Sequence, residues 1–152
     1  MLHLEKIKNK NREAFLPLLL MADESEEIVR NYLGEGALFA VKTEKSDTIG
    51  CILLTDVSQK IVEIKNIALI PEYRGKGYGK KCINYIFRWA KERKKEKVIV
   101  GTANSSIDNI LFYQKCGFRF FEIKKNFFAQ YPDPVIENGI IAMDMVYFEY
   151  IV

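Results

Sequence analysis

The chain reads as an α/β protein, built as one mixed sheet of about seven strands flanked by about four helices. Three observations carry that reading. Apolar residues alternate with polar ones in some segments and recur at helical spacing in others, and the two patterns interleave along the chain. Several strand segments follow one another through short polar turns, which implies antiparallel pairing, whereas others are separated by a helix, which implies parallel pairing. The length of 152 residues and a hydrophobic content of 49% suit one core, so we expect a single domain over residues 1–152.

The elements follow in order. Leu2, Leu4 and Ile7 open the chain as a short strand. Residues 12–21 form a first helix, with Phe15, Leu18 and Leu19 on one face. Residues 24–33 form a second, with Ile28, Val29 and Tyr32 at helical spacing, and Gly34 and Gly36 end it. Residues 37–42 and 49–56 are strands around a polar turn, and residues 61–70 form a longer strand that stops at Pro71. A glycine-rich segment leads into a helix whose buried stripe is Cys82, Ile83, Ile86, Phe87 and Ala90. Val98, Ile99 and Val100 mark a strand. Ser105 or Ser106 caps the next helix, which runs to Cys116 and stops at Gly117. Residues 118–123 are a strand, residues 127–134 an aromatic and proline-rich loop, and residues 140–150 a closing strand.

Composition excludes several classes. A net charge of +3 is too mild to imply nucleic acid. The basic run Lys91, Arg93, Lys94, Lys95 and Lys97 reads as the solvated end of a helix, where cations complement the dipole. Cys51, Cys82 and Cys116 are scattered and His3 is the only histidine, so no zinc site is expected. Free thiols suit a reducing cytoplasm. The first residues lack the apolar core of a signal peptide, and no apolar run approaches a membrane span.

The chemistry centres on Arg74-Gly75-Lys76-Gly77-Tyr78-Gly79-Lys80, between a strand and a helix. Unpaired N–H groups and the dipole at a helix N-terminus attract anions, and glycines let the backbone approach them. Arg74, Lys76 and Lys80 add charge. No GxxxxGK[ST] string occurs, which excludes a Walker A loop. Counting GxGxxG from Gly75 ends on Lys80, and no acidic ribose partner follows about twenty residues on, which excludes a dinucleotide fingerprint. The acetyltransferase pattern [Q/R]xxGx[G/A] matches from Arg74 to Gly79 at every position.

Residues 64–88 resemble motif A of the GCN5-related N-acetyltransferase (GNAT) superfamily. Residues 104–118, with Phe112-Tyr113-Gln114-Lys115-Cys116-Gly117-Phe118, resemble its motif B. The resemblance implies a pair of parallel strands, residues 61–70 and 97–102, that splay apart to admit acetyl-CoA. It implies that the backbone of Ile67, Ala68 and Leu69 pairs with the pantetheine arm, and that one N–H there polarises the thioester carbonyl. The pyrophosphate then takes the N–H groups of Arg74, Gly75, Lys76, Gly77, Tyr78, Gly79 and Lys80, and Asn104 and Asn109 hydrogen-bond the arm. Tyr113 matches the acid that protonates the departing thiolate, and Glu63 the general base.

Strict alternation puts Glu63, Lys65 and Ile67 on one side of their strand and Ile64, Asn66 and Ala68 on the other, unless a bulge intervenes. The resemblance implies acetyl transfer to a primary amine, of a small molecule or a peptide, by direct attack in a ternary complex. Glu35, Glu63, Asp133, Glu137 and Asp144 lie in the acceptor-facing segments and favour a cationic amine, with Phe127, Phe128 and Tyr131 as an apolar wall. Self-association as a homodimer stays open. A non-catalytic acyl-CoA sensor would keep the glycine loop without Tyr113 and Glu63. A nucleotide-binding regulator would need the missing Walker lysine.

Overall fold

The computed structural model describes residues 1–152. Strands β1 (Leu2–Lys6), β2 (Ala37–Thr43), β3 (Thr48–Asp56) and β4 (Ile61–Leu69) pair successively antiparallel. Helix α3 (Tyr78–Glu92) then crosses to β5 (Lys97–Ala103), which lies parallel to β4. Helix α4 (Ile107–Lys115) leads to β6 (Arg119–Lys124), and the chain closes on β9 (Met145–Ile151), inserted between β5 and β6. The seven-stranded order is β1-β2-β3-β4-β5-β9-β6, the mixed sheet expected.

Two apolar layers hold it. On one face Cys82, Ile83, Ile86 and Ala90 of α3 pack on Val62, Ile64, Val98, Val100 and Phe148. Phe87, expected in that stripe, is only partly buried and stacks on Tyr150 at 3.7 Å. On the other face the short helices α1 (Leu16–Leu19) and α2 (Glu26–Tyr32) contribute Leu16, Leu19, Val29 and Tyr32 against Leu38, Ala40, Cys51 and Leu53. No helix is long and apolar enough to cross a membrane.

Three elements differ from expectation. The first helix splits into a 3-10 turn (Asn9–Phe15) and α1, because Pro17 has no N–H to give and belongs in a first helical turn. Arg12 is buried, and its guanidinium donates to the carbonyls of Leu33, Glu35 and Gly36, closing off the end of α2. Neither Ser105 nor Ser106 caps α4 through its side chain: Ser106 Oγ instead donates to Glu137 Oε1 at 2.6 Å. The expected closing strand over residues 140–150 is interrupted at residues 142–144, and its first two residues instead join a hairpin of their own. Asn138 (φ 55°) and Gly139 (φ 72°) form a tight turn between β7 (Ile136–Glu137) and β8 (Ile140–Ile141), as Asn-Gly pairs do in hairpins.

One irregularity positions the site. Leu54 pairs with Ile64, yet Leu53 pairs with Asn66, so Lys65 is an extra residue and β4 bulges there. Before the bulge, Val62 and Ile64 face α3. After it, Ile67 and Leu69 pack on that layer, while Ala68 joins the α1–α2 layer. Asn66 also turns to that side, donating to Leu19 O and to the Tyr32 hydroxyl. The strict alternation of this strand is therefore overturned: Glu63 shares the α2 side with Asn66 and Ala68, not with Ile67.

Candidate active site

β4 and β5 pair only from Ile61↔Lys97 to Ile64↔Val100, although β4 continues to Leu69 and β5 to Ala103. Beyond the bulge the two strands part. The Ile70 N–H donates to Ile49 O at 2.8 Å, across to β3. Backbone groups alternate sides along a strand, so those of Ala68 also point to β3, and those of Ile67 and Leu69 point into the gap. Ala68, expected to share the backbone role, is thus a neighbour of the gap and not one of its open hydrogen-bonding positions.

The glycine loop lies at the C-terminal end of β4. The N–H groups from Gly75 to Lys80 have no partner in the chain, and the first helical bond joins Lys81 N to Gly77 O. Gly75 (φ 71°) and Gly77 (φ 85°) adopt left-handed backbone and have open space where a Cβ would project. Gly79 differs, since a Cβ there would lie 3.0 Å from the ring of Phe112. Two glycines thus shape the N–H cradle, and the third lets α3 approach α4. Arg74 Nε donates to Leu69 O at 2.9 Å, tying the loop to the strand end. Unpaired donors, open glycines and the dipole of α3 fit a diphosphate.

A cavity of about 210 Å³ passes through the gap. Asn66, Ile67, Gly101 and Thr102 form its walls, Asn109 and Tyr113 its α4 side, and Asp23, Tyr131 and Glu137 its far side. Tyr113 is buried, with rings of Phe112, Phe118 and Phe148 within 5.8 Å of its own. Burial pushes its hydroxyl pKa well up, which keeps it a protonated donor. Asn109 donates to the Thr102 hydroxyl at 3.3 Å.

Other expected residues lie elsewhere. Asn104 does not line the cavity: its Oδ1 accepts from Met143 and Asp144 N–H, and its Nδ2 donates to Ile141 O. It organises the turn before β9. Glu63 stands outside the cavity lining, beside Ile64 and Lys65, which belong to it. Desolvation raises its carboxyl pKa, opposed by Lys65 and Lys124 and reinforced by Glu35. Its charge in turn helps burial push Tyr147 up to about 12. Of the acceptor-side residues, Glu137, Phe128 and Tyr131 line the cavity, whereas Asp133, Asp144 and Phe127 do not.

The acetyltransferase (GNAT) family model matches residues 4–118. The chain belongs to that family. It is 36% identical to the uncharacterised N-acetyltransferase YvbK of Bacillus subtilis, over 95% of this chain and 93% of that protein. A GNAT acetyltransferase from Elizabethkingia anophelis, solved with acetyl-CoA bound, superposes with a TM-score of 0.92 at 34% identity, covering 99% of this chain and 98% of the other. A Bacillus subtilis acetyltransferase in complex with CoA gives 0.89 at 34% identity, covering 100% and 99%. Acetyl-CoA is accordingly the cosubstrate of this GNAT acetyltransferase, as its motifs led us to expect.

Sequence reasoning missed Asp23, Thr102 and Asn66 as cavity residues of this GNAT protein. Asp23 sits in the loop before α2, where no periodicity or motif marks it. Asn66 reaches the site through the Lys65 bulge.

Proposed function

We propose that this GNAT acetyltransferase moves the acetyl group of acetyl-CoA directly to a primary amine, with both substrates held together in a ternary complex. One observation carries the reading: a single cavity joins the open backbone of Ile67 and the Tyr113 ring to an acid-lined far side. Acetyl-CoA supplies a thioester already activated toward an amine. The N–H groups from Gly75 to Lys80 would hold its diphosphate, and the open backbone of Ile67 together with the Leu69 N–H its pantetheine arm. Ile67 N–H would polarise the acetyl carbonyl. The bond formed joins the amine nitrogen to the acetyl carbon, and the bond broken is carbon–sulfur. Tyr113 would give its proton to the leaving sulfur. Glu63, whose raised pKa suits a base, would take the amine proton through water, since it lies just outside the cavity lining.

The presence of both groups favours catalysis over a non-catalytic acyl-CoA sensor. The free thiols of Cys51, Cys82 and Cys116 support a reducing, cytoplasmic location. Thiol release from acetyl-CoA, screened against a library of amines, tests the function. Amine-dependent release is expected; acetyl-CoA binding with no release for any amine would favour the sensor.

A further inference from the structure

Asp23 is the carboxylate most firmly fixed within the cavity. The Tyr32 hydroxyl donates to its Oδ2 and the Tyr131 hydroxyl to its Oδ1, both at 2.9 Å. The two phenols come from α2 and from the loop after β6, so the carboxylate is oriented from both sides of the cavity. Burial, and then Asp23 itself, raises the pKa of both phenols, which therefore stay donors. No lysine or arginine forms a salt bridge with Asp23. The only cation lining the cavity is Lys65, whose ammonium lies over the Tyr32 ring at 5.4 Å, while Glu24 and Glu137 add to the acidic lining.

A second observation concerns a different polar atom, on a residue joined to this cluster through Tyr32. Asn66 is 5% exposed and lines the same cavity, and its Oδ1 has no hydrogen-bond partner. Its Nδ2 is already committed to Leu19 O and Tyr32. A buried acceptor without a donor costs free energy, and a ligand carrying N–H groups would relieve it. Tyr131 and Phe128, with rings 4.9 Å apart, add aromatic surface of the kind cations favour.

We infer that Asp23, clamped by Tyr32 and Tyr131, receives a second cationic group of the acceptor, so that the favoured substrates are diamines or amines bearing another positive charge. The inference rests on the cavity being the acceptor site, as proposed above. It assigns anchoring to Asp23 and leaves proton removal to Glu63. The reacting amine must become neutral, whereas the anchored group stays charged throughout, so the two tasks call for different carboxylates.

Binding to the CoA-saturated full-length chain tests this without requiring turnover. Calorimetric titration would compare diaminoalkanes, from 1,3-diaminopropane to 1,6-diaminohexane, with monoamines of the same length. The expected result is a diamine preference on the order of tenfold at one or more lengths. Asp23→Asn should abolish the preference and leave CoA affinity unchanged. Tyr131→Phe, which keeps the carboxylate and removes one donor, should retain it. A wild-type chain that does not distinguish the two series, or an Asp23→Asn chain that keeps the preference, overturns the inference. So does loss of the preference in Tyr131→Phe as complete as in Asp23→Asn, because that would make Asp23 part of the scaffold. If diamines bind as expected but none is acetylated, the transferase reading fails while the anchor stands.

Discussion

The amide of Asn66 donates to the hydroxyl of Tyr32 at 2.9 Å, and this bond fastens β4 to α2 beside the cavity. Tyr32 passes the connection on by donating to Asp23. Tyr32→Phe keeps the ring in its layer but removes a donor from Asp23 and an acceptor from Asn66. We expect a loss of about 1–2 kcal/mol, the usual effect of a buried hydrogen bond broken on one side. Urea unfolding checks it: the midpoint should fall with the slope unchanged. An unaltered midpoint would mean that water replaces the hydroxyl at no cost.

The glycine loop gives a binding prediction. Gly77 has left-handed backbone and open space where a Cβ would project, so Gly77→Asp introduces no clash, although any side chain at this φ strains the backbone. The change acts by charge, placing a carboxylate among the free N–H groups. For the wild type, saturating acetyl-CoA should raise Tm by roughly 5–10 °C. Thermal denaturation of Gly77→Asp should show a melting point somewhat below that of the ligand-free wild type, from the strained backbone, and no shift with acetyl-CoA.

Tyr113 allows acid catalysis to be separated from packing. Phe112, Phe118 and Phe148 surround its ring, and those contacts persist in Tyr113→Phe. The variant should therefore fold and bind acetyl-CoA normally, while kcat falls on the order of ten- to a thousandfold. Steady-state kinetics with chemistry rate-limiting measures this. An unchanged kcat would leave Tyr113 as a wall of the cavity.

Features governed by local rules are legible in the sequence of this chain. The glycine loop was readable because helix termini and positive φ impose their own residue types, and the α3 stripe because a helix buries one face. The parallel pair followed from a helix between two strands. Glu63 was harder, because its direction depends on the Lys65 bulge, a register property of two strands together. Asn104 is ambiguous because a side chain that bonds Met143 and Asp144 resembles, in sequence, one that bonds a ligand. Asp23 left no local trace at all, since its partner Tyr131 lies far along the chain and only the folded sheet brings them together.

Glu63 yields a prediction in which two pH dependences share one cause. Desolvation raises its carboxyl pKa in the folded chain above the unfolded value. For an acid shifted this way, the associated stability is fully present below the unfolded pKa and is lost as pH rises through the folded pKa. The contribution of Glu63 to wild-type stability should therefore be lost across that acidic window. Glu63→Gln carries no charge there, so its urea midpoint should match the wild type at the acid end and exceed it at neutral pH. Activity should run in the opposite direction. If Glu63 accepts the amine proton, kcat/KM of the wild type rises with pH through the same ionisation, and the glutamine variant lacks that limb. Its rate at neutral pH should be low and should recover partly at alkaline pH, where more of the acceptor amine is already neutral. Measuring both profiles on both proteins distinguishes the two roles for this carboxylate. A stability difference that follows pH as described, combined with kcat/KM profiles that differ only by a constant factor, would show that Glu63 ionises in the folded chain without serving as the base. The water that deprotonates the amine would then have to be sought among the groups lining the cavity itself.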